Sequence, residues 1–207
     1  MDKDVILVGG FHEIIELCEK SGYKIKGIID GQLQDSYFGY PVIGSDSDAQ
    51  ALYPKYGHCK LVITPDSPKI REKLVNFYRT IGYNFATIIS PLANVSKYAT
   101  IGQGTIIQDG VNVSAATKIG KFVKLNTSCN VMHDNIISDY VTIAPNAVCL
   151  GRIKIGEASY IGANATILPS LIIGCQSMIG AGAVVTHDVS DCVVAKGVPA
   201  RSEGGNF

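Results

Sequence analysis

Three features are missing from this sequence: an excess of charge of one sign, a metal- or redox-type cysteine pair, and a long apolar run. Lys plus Arg and Asp plus Glu number 18 each and are scattered, so no summed field draws the chain to nucleic acid or an anionic membrane. Any phosphate has to be held locally. The six cysteines, at 18, 59, 129, 149, 175 and 192, form no CxxC pair and no close Cys/His cluster, which argues against a bound metal or a redox dithiol. Reduced, core-packed thiols are expected instead. No 18-residue apolar run occurs, and MDKDVILVGG passes to Gly and charge too soon for a signal peptide, so a cytoplasmic protein with no membrane partner is expected. What is present is 207 residues, 46% hydrophobic, enough for one large or two small domains with a real core.

The chain changes character near residue 88. Before it, aliphatic runs alternate with polar, helix-like segments: VILV (5–8), EIIELCEK (13–20), YKIKGIID (23–30), DAQALYPKY (48–56), CKLVIT (59–64) and SPKIREKLVNFYRTIG (67–82). Strand, helix, strand at this spacing predicts a small α/β domain of βαβ units over residues 1–88. Ligands of such sheets sit beyond the strand C-termini. Gly9 and Gly10 follow the first predicted strand and Asp30 ends the second, an echo of a Rossmann-like fingerprint without its GxGxxG.

After residue 88 the period becomes six. Every sixth residue from Ile89 to Val185 is Ile, Leu or Val, with Cys149 the exception. Each hexad should make one short strand and a turn, and stacked hexads should bury one aliphatic column. Gly102, Gly120, Gly156 and Gly174 recur at 18 or 36 residues, so three hexads complete a coil of a three-sided prism. Five to six coils at the strand spacing would stand about 25 Å tall.

Within this apolar run, CNVMHDNI (129–136) sets an imidazole and a carboxylate side by side. His133 is third in the hexad beginning at Val131, where side chains should leave the prism. Adjacent residues on an extended chain point apart, so contact between His133 and Asp134 requires a turn. His187-Asp188 repeats the dipeptide three coils on, about 14 Å away by layer spacing. It reads as surface, at most lining a cofactor channel, and His58 reads as a loop residue.

The hexads IGKFVK, IGEASY, IGANAT and IGAGAV resemble the left-handed parallel β-helix of hexapeptide-repeat acyltransferases over residues 89–207, the last few residues forming a tail. With the N-terminal domain, the whole chain is similar to bacterial nucleotide-sugar N-acetyltransferases of the bacillosamine and perosamine type and to sialic acid O-acetyltransferases. The resemblance implies a homotrimer, acetyl-CoA as co-substrate between neighbouring prisms, and a nucleotide-sugar acceptor. It implies His133 as general base, Asp134 as its orienting acid, and Gly151, one coil on, as the amide that meets the thioester carbonyl. On the acceptor side it implies His12, Asp30, the loop Thr64, Asp66 and Ser67, and Asn126, with Gly9 and Gly10 in the turn; GGFHE is one residue shorter than the family's turn. For acetyl-CoA it implies Thr142, where many relatives carry a second histidine, together with Ala163, Ala181, Lys196 and Arg201. The expected activity is direct acetyl transfer to an amine of a nucleotide-linked sugar. Sugar O-acetylation, a non-catalytic trimeric scaffold, and acyl transfer through Cys129 or Cys149 are the alternatives.

Overall fold

The computed structural model describes residues 3–204. Strands β1 (Asp4–Val8), β2 (Lys24–Ile29), β3 (Ser36–Tyr37), β4 (Tyr40–Gly44) and β5 (Lys60–Ile63) form one sheet in the order β3-β4-β2-β1-β5. β1 runs parallel to β2 and β5, and β4 parallel to β2, while β3 closes a hairpin on β4. Helices α1 (His12–Lys20), α2 (Ala49–Tyr56) and α3 (Pro68–Ile81) connect them where the polar segments predicted. α3 shows why: Ser67 Oγ accepts from the Ile70 N–H at 3.4 Å, Pro68 opens the first turn, and Gly82 in the left-handed region ends the helix. The β3–β4 hairpin carried no expectation. Its first strand is two residues long, too short to show an alternation.

Among the described residues, seventeen two-residue strands then succeed one another every six residues, from β6 (Ile88–Ile89) to β22 (Val184–Val185). They are dealt in rotation to three parallel sheets. Within each sheet a residue pairs with the one 18 positions on, as in Lys124↔Thr142, Asn130↔Val148 and Ile136↔Lys154. This architecture is consistent with a parallel β-helix. Every sixth residue from Gly104 to Gly182 has positive φ, so each corner turns through one left-handed residue at a fixed place in the hexad.

The predicted inward column is buried from Ile107 to Val185. Its first members are not: Ile89 is 38% exposed and Val95 and Ile101 are half-buried, since no coil lies beneath them to cover the column's end. Residues 205–207 of the expected tail lie outside the described residues. β23 (Val193–Lys196) adds to the sheet beside β21 (Met178–Ile179), and β24 (Arg201–Gly204) folds back on it antiparallel. Two thiols differ from expectation: Cys175 and Cys192 are exposed at corners, whereas Cys18, Cys59, Cys129 and Cys149 are buried.

The N-terminal sheet is bolted to the first of the three sheets. Phe122 stacks on Tyr140 (centroids 5.4 Å, 8°) and meets Phe85 edge-on at 5.0 Å. The guanidinium of Arg71, 1% exposed, donates to the carbonyls of Phe122, Pro65, Asp66, Tyr140 and Val141 and to Thr142 Oγ1. Burial pushes its pKa down to about 10, which still leaves it cationic near neutrality.

Candidate active site

His133 sits on the corner after β13 (Asn130–Val131), half-exposed at 51%, and Asp134 occupies the left-handed position with φ 60°. That turn brings Asp134 Oδ2 to 2.7 Å from His133 Nδ1. A carboxylate accepts and does not donate, so Nδ1 carries the hydrogen, and in the neutral ring Nε2 keeps the lone pair. The corner is held from both sides. The His133 carbonyl accepts from the Arg152 N–H at 3.0 Å and the Asp134 N–H donates to Ala115 O at 3.1 Å. Thr117 Oγ1 and Asn135 Nδ2 both donate to Met132 O, at 2.7 and 3.0 Å. Asn135, fully buried, completes the brace by accepting from the Ile153 N–H at 2.6 Å. Sequence reasoning passed over it, although a polar residue at an inward hexad position is a visible signal.

Gly151 lies one coil above His133. A Cβ there would come within 2.6 Å of His133 Cε1 and 2.7 Å of Nε2, so the imidazole rests directly against the bare Cα. The Gly151 N–H has no acceptor among the described residues. A free amide beside an imidazole whose Nε2 is unprotonated can take a proton and stabilise a developing oxyanion at one place.

The second His-Asp pair is not built this way. Asp188 Oδ1 accepts from the Ile172 N–H at 2.8 Å, and His187 Nδ1 contacts Thr186 Oγ1 at 2.9 Å. His187 shares the corner column of His133 and Gly151 but has no carboxylate orienting it.

The acceptor-side residues gather at the C-terminal edge of the parallel sheet. Gly9, with φ 90°, lies where a Cβ would be 2.5 Å from Thr64 Oγ1, and the Gly10 N–H donates to Asp30 Oδ2 at 2.8 Å. Asp30 Oδ1 accepts from the Gln32 and Leu33 amides, so this carboxylate organises two loops. Thr64 is buried, its hydroxyl within 2.9 Å of both Val8 O and Gly9 O. Ser67 caps α3. His12 stays exposed, its Nδ1 3.3 Å from Tyr37 Oη and its ring stacked on Phe38 at 5.4 Å. Asp66 and Asn126 meet, Nδ2 to Oδ1, at 3.3 Å.

For the acetyl-CoA residues the outcome is divided. Thr142 is fully buried, its hydroxyl donating to Asp66 O at 2.7 Å and accepting from Arg71 Nη2, so it ties the two halves together and has no surface toward a cofactor. Ala163 and Ala181 lie on the corner between the first and second sheets, whereas His133 and Gly151 lie on the corner between the second and third. One chain therefore does not bring them together. Lys196 and Arg201, exposed, face each other across the β23–β24 hairpin. Cys129 and Cys149 are buried in the column; burial raises both thiols, Cys149 to about 12, and so favours the thiol over the nucleophilic thiolate. Among the described residues no group of three His, Cys, Asp or Glu could hold a metal ion, and no helix is long and apolar enough to cross a membrane.

No protein-family model and no curated protein sequence matches the chain. Solved structures do. Perosamine N-acetyltransferase from Caulobacter crescentus, a histidine-to-asparagine variant in complex with CoA and GDP-perosamine, is 29% identical over 98% of this chain and 97% of its own, with a TM-score of 0.93. The acetyltransferase domain of PglB from Neisseria gonorrhoeae, in complex with acetyl coenzyme A, is 30% identical over 98% and 100%, with a TM-score of 0.91. WeeI from Acinetobacter baumannii is 32% identical over 96% and 99%, with a TM-score of 0.87.

Proposed function

Because this chain belongs to the nucleotide-sugar N-acetyltransferases of the hexapeptide-repeat family, we propose that it transfers acetyl from acetyl-CoA to the amine of a nucleotide-linked amino sugar, with His133 as general base. The observation that carries the assignment of roles is the His133–Asp134 contact of 2.7 Å with Gly151 against the same ring. The neutral sugar amine attacks the thioester carbon and forms the C–N bond. His133 Nε2 accepts the proton the amine loses, and Asp134 stabilises the imidazolium. The Gly151 N–H donates to the tetrahedral oxyanion. Collapse breaks the C–S bond, and CoA leaves as the thiol with the proton from His133. No acyl-enzyme is required, in keeping with the burial of Cys129 and Cys149.

The same reading divides the chain into a Rossmann-like acceptor-binding domain, 1–88, and a left-handed β-helix, 89–207, in a cytoplasmic homotrimer. Trimerisation is supported by the placement of the residues. His133 and Gly151 on one corner, and Ala163, Ala181 and the acceptor loops near another, complete one cleft when two copies stand side by side. Lys196 and Arg201 are assigned in this reading to the CoA phosphates through charge-assisted hydrogen bonds.

Thiol release from acetyl-CoA, measured with UDP-, GDP- and dTDP-linked amino sugars, tests the proposal. Wild type is expected to turn over with at least one of them, and His133→Ala to lose about 10²- to 10⁴-fold in kcat. Equal release by the two proteins would remove the assigned base.

A further inference from the structure

Lys124 has no part in the mechanism above. It occupies the outward position of β12 (Lys124–Leu125), paired in its sheet with Ile106 below and Thr142 above. Its side chain is 1% exposed. Taking an ammonium out of water is costly unless it is paired and hydrogen-bonded. Here Nζ is 2.6 Å from Thr64 O and 2.6 Å from Asp66 Oδ1, and it lies over the Phe11 ring, 5.7 Å from the centroid. All three partners belong to the acceptor loops at the end of β1 and β5. Asp66 itself is 48% exposed, so the pair has a buried cation and an anion that reaches out of the protein.

Asn126, two residues beyond Lys124, donates Nδ2 to the same Asp66 Oδ1 at 3.3 Å. The opposite amide orientation would set two oxygens against each other, so the carboxylate fixes it. Asn126 is 4% exposed, and its Oδ1 is buried with no hydrogen-bond partner among the described residues. Asp66 Oδ1 receives both donors, and among the described residues Oδ2 receives none. The half-exposed carboxylate therefore keeps one unfilled anionic acceptor, while Asn126 Oδ1 is closed off from solvent. Such an oxygen takes hydrogen-bond donors and repels phosphate, which offers acceptors alone. A sugar ring offers hydroxyl and amino donors.

We propose that Lys124 is a positioning residue for acceptor recognition: with Asn126 it fixes the Asp66 carboxylate so that Asp66 Oδ2 accepts hydrogen bonds from hydroxyl or amino groups of the sugar ring. The inference rests on the acetyl-transfer reading and adds which feature of the acceptor is recognised, and by what arrangement. Burial lowers the Lys124 pKa and Asp66 offsets part of that, so the buried ammonium depends on this carboxylate. Lys124→Met leaves Asp66 free to turn into solvent.

Steady-state kinetics of wild type, Lys124→Met, Asp66→Asn and the double variant, with each substrate varied in turn and melting temperatures recorded, test this. Each single change is expected to raise the acceptor KM about tenfold while the acetyl-CoA KM stays within about twofold. The double variant is expected to match the worse single, because both act through one carboxylate. An unchanged acceptor KM in Lys124→Met, a parallel rise in both KM values, or effects that multiply in the double variant would each overturn it. Should Lys124→Met fail to fold, Lys124→Gln, which keeps a donor toward Thr64 O, is read by the same criteria. A wild type silent on every nucleotide amino sugar overturns the acetyl-transfer reading and this inference together. An active wild type with an indifferent Lys124 variant overturns this one alone.

Discussion

The imidazole of His133 owes its place to three neighbours: Asp134 turned back through a left-handed φ, Asn135 bracing the corner from the core, and the missing side chain of Gly151. Of these, Gly151 gives the sharpest test, because its substitution moves the base without touching its chemistry. In Gly151→Ala a methyl would begin 2.6 Å from His133 Cε1, so the ring must leave its position. Displacements of about 1 Å cost on the order of 100-fold in rate, and kcat should fall by about that factor while the melting temperature changes little. Steady-state kinetics beside a thermal melt separate the two effects. The cysteines make a second prediction at this scale. Alkylation at pH 8 followed by mass spectrometry should modify Cys175 and Cys192 quickly and spare the four buried thiols, Cys149 most firmly since its pKa is pushed up to about 12. Acyl or alkyl label on Cys129 or Cys149 in the folded protein would contradict the direct-transfer mechanism.

At the scale of elements, the six-residue period and the βαβ rhythm were legible because burial repeats on every turn. Ile155, Ile161, Ile167, Ile173 and Ile179 all enter one column, so a single periodic signal is read many times over. The β3–β4 hairpin was illegible for the opposite reason, being two short strands that each appear once. Between elements, α1 meets the stack through an apolar cluster that joins Ile14 and Ile15 to Ile88 and Ile106, and through one ion pair. Asp109, in the corner before Gly110, pairs with Lys20 of α1 and accepts from Ser90 Oγ. The hydrogen bond from Lys20, followed by that from Ser90, holds the Asp109 carboxyl below its ordinary 3.8. A carboxyl depressed in the folded state stabilises fully above its unfolded value and loses that contribution as pH falls through the folded one. Asp109→Asn should therefore lower the melting temperature near neutrality by about 2 °C, since both side chains are about a third exposed. The difference should shrink as the pH drops below 3.8, and melts across pH 2.5 to 7 measure it. A gap that widens in acid would show that the pair does not stabilise as described.

At the scale of the whole molecule, the corner bearing His133 and the corner bearing Ala163 and Ala181 are different edges of one stack, with the Asp66–Asn126 contact beside the second. An active site assembled between copies predicts complementation. Mixing His133→Ala with Asn126→Ala chains, each expected to be impaired alone, and allowing the proposed trimers to re-form at random should restore about a quarter of wild-type activity, because that share of clefts draws both intact residues. Zero recovery with verified subunit exchange would place each site within a single chain.

Sequence alone determined the two halves, the three-sided repeat, and the dipeptide that breaks it, because local periodicity and an out-of-pattern polar residue are both written along the chain. The family resemblance added Gly151, one coil on from His133. Tertiary structure decided what distant residues do to one another. Thr142 and Thr64, named by resemblance as ligands, are buried hydrogen-bonding struts, and Arg71 and Lys124, passed over in the sequence, join the acceptor loops to the stack across separations of more than fifty residues. Such roles arise from through-space pairing in a low-dielectric interior, and no one-dimensional pattern encodes that pairing.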